Sequence, residues 1–70
     1  MKKSFEIPVY NEEVRQAVRS KQNHPSFEAK WADTLLIMVR AHTEDEALAK
    51  CQRLHPARLG FVHGEVAEVY

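Results

Sequence analysis

From Ser4 to Tyr10 the apolar residues Phe5, Ile7 and Val9 alternate with Ser4, Glu6 and Pro8, the period of a strand with one buried face. Pro8 has no amide to donate, which predicts either an edge position for this strand or last residues that leave the ladder. Asn11 then offers a short oxygen acceptor to the free amides of a first helical turn, and Glu12 and Glu13 put negative charge at the positive end of the dipole. A helix is expected there, with Val14, Ala17 and Val18 as its apolar stripe. It should stop near Gln22, because Asn23-His24-Pro25 disfavours helical geometry.

The stretch from Ser26 to His42 has two readings. Apolar residues at 27, 31, 35, 38 and 39 fit one long helix, which would make the chain mainly helical. The deciding signal is Thr43-Glu44-Asp45-Glu46, a capping box that starts a new helix and so ends the preceding element. Thr34 to Val39 then reads as a strand apolar on both faces, with Ser26 to Ala32 as one or two helical turns before it. The second helix carries Ala47, Leu48, Cys51 and Leu54 on one stripe and ends at His55-Pro56. Phe61 to Tyr70 reads as a final strand kinked by a bulge at Gly64.

This order, βαβαβ, predicts a small two-layer α+β domain: a three-stranded sheet with two main helices on one face. A strand, a helix and a strand in succession imply a right-handed crossover between parallel strands. The second sheet face is then left bare, while the middle strand presents Leu36 and Met38 on one side and Leu35, Ile37 and Val39 on the other. A domain of this size has little stability to spare, so a second copy is the expected cover.

Composition narrows the classes. The chain has 70 residues, ten Lys plus Arg against ten Asp plus Glu, and one cysteine. No Ser/Gly-rich linker or repeat divides it, so residues 1–70 read as one domain. The longest apolar run, Leu35 to Val39, is far short of the roughly 18 residues a membrane helix needs. Met1-Lys2-Lys3 resembles a secretory start, but Glu6 and Pro8 break up the segment where an apolar run would have to stand, and a cytoplasmic location is expected. A lone cysteine cannot form an internal disulfide, so packing must hold the fold.

Candidate chemistry is sparse. Cys51 and His55 stand at i and i+4, where a helix could aim both at one metal ion, but no CxxC or HxxxH accompanies them and Cys51 lies on the apolar stripe. Ser4, Ser20 and Ser26 occupy no nucleophile elbow, and Gly60 and Gly64 form no phosphate loop. Both carboxylate clusters fall in first helical turns, where capping and the dipole account for them. No enzyme, metal or cofactor is expected.

Two binding readings remain. The first is a non-catalytic protein-interaction module, homodimeric or docking another protein, that uses the sheet face through Leu36 and Met38, the aromatic anchor Trp31, and the final strand edge at Tyr70. The second is an RNA- or single-stranded-DNA-binding domain using Arg15, Arg19, Lys21, Lys30 and Trp31, whose cations would meet phosphates while the indole stacks on bases. Zero net charge and the interleaved Glu12, Glu13, Glu28 and Asp33 weaken this second reading.

Overall fold

The computed structural model describes all residues from Met1 to Tyr70. Its elements are β1 (Lys3–Asn11), α1 (Glu12–Arg19), a first 3-10 turn (Ala29–Ala32), β2 (Leu35–Ala41), α2 (Glu44–Leu54), a second 3-10 turn (Ala57–Leu59), β3 (Phe61–His63) and β4 (Ala67–Val69). The α+β two-layer reading holds: one antiparallel sheet, with α2 laid across β1 and β2 and α1 packed on the first 3-10 turn and β3. The helical alternative for Ser26 to His42 does not occur, since β2 fills most of the second half of that span.

The expectation of parallel strands is corrected. β1 and β2 run antiparallel, from Lys3 opposite Ala41 to Val9 opposite Leu35. Lengths explain it. α1 has eight residues, about 12 Å of helix, against about 30 Å for the nine-residue β1. The helix therefore cannot carry the chain back along the strand, and β2 starts beside the end where β1 stops. α1 itself closes at Arg19, before the Asn23-His24-Pro25 signal is reached: Gln22 N–H donates to Ala17 C=O (2.8 Å) and Lys21 N–H to Val18 C=O (3.0 Å), with Lys21 left-handed at φ 55°. This is a Schellman closure with lysine where glycine is usual.

A second correction concerns Pro8. β1 is the central strand, with β2 on one side and β3 followed by β4 on the other. Val9 pairs with His63 and Glu6 with Ala67, so Gly64, Glu65 and Val66 oppose only Ile7 and Pro8: a bulge at the expected glycine. Pro8 turns its carbonyl toward this bulge and accepts from Gly64 N–H at 2.7 Å. Its missing amide therefore faces a broken part of the ladder, which is how a central strand tolerates proline. A Cβ on Gly64 would lie 3.1 Å from the Pro8 Cβ, so the close approach favours glycine here.

The inner sheet face holds the core. Phe5, Ile7 and Val9 of β1 pack with Ala41, Ala47, Cys51 and Phe61, flanked by Phe27, Trp31, Ile37, Val39, Leu48 and Val66. Leu54, expected on the α2 stripe, is instead 73% exposed, because α2 ends there as the chain turns at His55. Asn11 caps α1 as expected, accepting from Val14 N–H at 3.0 Å while donating through Nδ2 to Leu59 C=O at 3.1 Å. Gly60, at φ 98°, accepts from Glu12 N–H at 2.8 Å and leaves no room for a Cβ, which would lie 2.8 Å from Asn11 Oδ1. The Thr43 cap of α2 is half a capping box: Thr43 Oγ1 accepts from Glu46 N–H at 3.1 Å, but the Glu46 carboxylate turns to Lys50 and His42.

Candidate functional site

Strand alternation builds an open outer face opposite α2. Leu36 and Met38 stand on it at 60% and 56% exposure, two residues apart on β2. Register sets the neighbouring rows: Pro8 lies beside Leu36, Glu6 beside Met38 and Ser4 beside Arg40, with Val62, Ala67 and Val69 beyond β1. Val62 and Val69 are also exposed, so both sides of the outer face carry apolar side chains, with Ser4, Glu6 and Pro8 of β1 between them and Leu36 and Met38. Sequence reasoning found Leu36 and Met38 but missed Val62 and Val69. Their pairing with Tyr10 and Ser4 was needed, and only the register supplies it.

The other expected partner residues lie elsewhere. Trp31 sits half-buried on the helical side, edge-on to Phe61 at 5.2 Å between ring centres and 5.1 Å from His55. Tyr70 is fully exposed beyond β4. Leu36 and Met38 therefore form one surface, and Trp31 and Tyr70 do not join it. The β4 edge expected at the final strand is short, and Lys3 holds Glu68 on it at 3.6 Å.

Compared with known protein families, curated proteins and solved structures, the chain matches none.

The basic set is gathered in part. Packing of α1 on the first 3-10 turn brings Arg15 near that turn, where it donates to Ala32 C=O at 2.9 Å and lies 3.6 Å over the Tyr10 ring. Arg19 pairs with Glu12 (3.9 Å) and Lys30 with Glu28 (3.8 Å), while Lys30 stands 5.8 Å from the Trp31 ring centre. Lys21 is exposed at the end of α1. Local carboxylates and ring faces thus already engage most of these cations.

A ring cluster at the end of the core was not foreseen. His24, Phe27, Phe61, Trp31 and His55 succeed one another with centres 5.0 to 5.3 Å apart. His24 Nδ1 accepts from Ser26 and Phe27 N–H, so its Nε2 carries the proton and donates to Glu13 at 3.3 Å. Burial, helped by the nearby His63, holds His55 below the ordinary histidine range. His63 Nε2 is buried without a partner. Its inward direction was legible from the alternation Phe61, Val62, His63, had the final strand been read residue by residue.

No three His, Cys, Asp or Glu side chains gather as metal ligands, and no pocket indents the surface. Cys51 lies in the core, and burial pushes its thiol up, which keeps it protonated and slow to react. At the far end of β2, Lys50 donates to Arg40 C=O at 2.8 Å and meets Glu46 at 3.2 Å. The hydrogen bond from Lys50, with His42 assisting, holds the Glu46 carboxyl below its ordinary range against a smaller opposing effect of burial. No helix is long and apolar enough to cross a membrane.

Proposed function

We propose that this chain is a non-catalytic interaction module that works by self-association on the outer side of its sheet. The observation that supports this reading is the exposed pair Leu36 and Met38, with Val62 and Val69 exposed across β1 on the same face. Side chains so placed lose unfavourable water contact only when another surface covers them, at about 25 cal/mol per Å² buried. One observation favours the nucleic-acid reading as a second choice: α1 and the first 3-10 turn pack together and draw Arg15 toward Lys30 and Trp31.

Sedimentation velocity over a concentration series, with and without a short single-stranded RNA, separates the two. The proposal expects a concentration-dependent dimer that ignores RNA and becomes a monomer when Leu36→Glu and Met38→Glu are combined. A monomer that travels with RNA and loses it on Arg15→Glu with Arg19→Glu would replace it.

A further inference from the structure

The backbone of β2 says where a second copy would join. In an antiparallel strand the N–H and C=O of one residue point to the same side, and that side alternates along the chain. Pro8 directs its carbonyl to Gly64, away from β2, so its partner Leu36 directs its own amide and carbonyl away from β1. The same parity holds for Met38 and Arg40, and Arg40 C=O is met from outside the sheet by Lys50 Nζ at 2.8 Å. Lys50 therefore closes the free edge at Arg40, and the open stretch centres on Leu36 and Met38. This is the sheet's long edge: β2 has seven residues with Arg40 as the one charge, whereas β3 and β4 have three each and are split by the bulge. Long, apolar, uncharged edges are the ones that recruit another strand.

We propose that two copies pair β2 with β2 antiparallel about a two-fold axis at Ile37, forming one continuous sheet. The inference rests on the self-association reading and sets its contact at the β2 edge, where Leu36 and Met38 meet the second copy side by side while Val62 and Val69, across β1, stay uncovered. With Ile37 opposite Ile37, Leu36 falls opposite Met38 of the second copy, and each such pair exchanges both of its backbone bonds. The two exposed side chains of each copy then meet as apolar cross-strand pairs on the outer face, and Leu35 meets Val39 on the inner face. Arg40 of the second copy arrives opposite Thr34, which lies just outside β2 and next to Asp33, so no like charges oppose one another, and pairing that ends at Leu35 and Val39 leaves the Lys50 contact at Arg40 C=O in place. A register centred on Met38 would set Leu36 against Arg40 and compete with Lys50 for that carbonyl. A peptide strand from another protein could add to the same edge, but only self-pairing uses both Leu36 and Met38 twice.

Amide hydrogen exchange on the dimer tests this. Slow exchange at Leu36 and Met38, with faster exchange on dilution to monomer, is the expected result. In parallel, Met38→Pro removes the outward amide without touching the β1 ladder, and Met38→Ala keeps that amide while shortening the side chain. Edge pairing expects Met38→Pro to raise the dissociation constant at least about tenfold beyond Met38→Ala. A dimer whose Leu36 and Met38 amides exchange as fast as in the monomer overturns edge pairing and leaves self-association standing. A monomer at every concentration overturns both, and protected edge amides in a complex with a different protein would assign the edge to that partner instead.

Discussion

Asn11 does three jobs with one side chain. It ends β1, caps α1 through Oδ1, and ties both to the loop before β3 through Nδ2 on Leu59 C=O, all while completely buried. Asn11→Ala leaves Val14 N–H and Leu59 C=O without these partners and opens a small void against Gly60. A loss of about 2 to 3 kcal/mol is expected, read as a lower urea midpoint at unchanged slope. His55 supplies the pH dependence. Its folded pKa lies below the unfolded value of about 6.5, so the unfolded chain binds the proton more readily. The neutral ring's full contribution is present above that unfolded value and is lost as pH falls through the folded one. The melting temperature should fall as the pH is lowered below about 7, and His55→Phe, which keeps a ring against Trp31 and Phe61, should flatten that part of the profile.

Element identity was largely legible, and element relations were not. The alternation around Phe5, Ile7 and Val9, the Asn11 and Thr43 caps, and the two-sided apolar run of β2 correspond to observed elements because each is set by residues within one or two turns of it. Strand direction depends on where the chain goes between Ser20 and Thr34, a stretch whose apolar residues Phe27 and Trp31 pack on Phe61, far along the sequence. The position of β1 was misread because Pro8 shows only that an amide is missing. Which side that amide would face is settled by the bulge at Gly64 to Val66, on another strand. The candidate surface divides in the same way: Leu36 and Met38 could be read from one strand, whereas Val62 and Val69 needed the register of several.

At the scale of the molecule the plate is thin. Its extents are 45 × 21 × 15 Å and its radius of gyration 13.1 Å, against about 11 Å for a compact chain of this length, and nine of its 70 residues are buried. So small a core leaves folding sensitive to any contact made only by the native state. Leu36 and Met38 lie outside that core, so Leu36→Glu with Met38→Glu should change the stability of the single chain by less than about 1 kcal/mol while abolishing association. Stability and association are then coupled by mass action. Once the chain is mostly dimeric, each tenfold rise in protein concentration should add about 1.4 kcal/mol per dimer, moving the urea midpoint upward. The double variant, lacking the contact, should unfold at one midpoint whatever its concentration. A wild-type midpoint that stays fixed across concentrations at which sedimentation detects dimer would mean that unfolded chains associate as well as folded ones. The folded sheet would then not be what the second copy recognises.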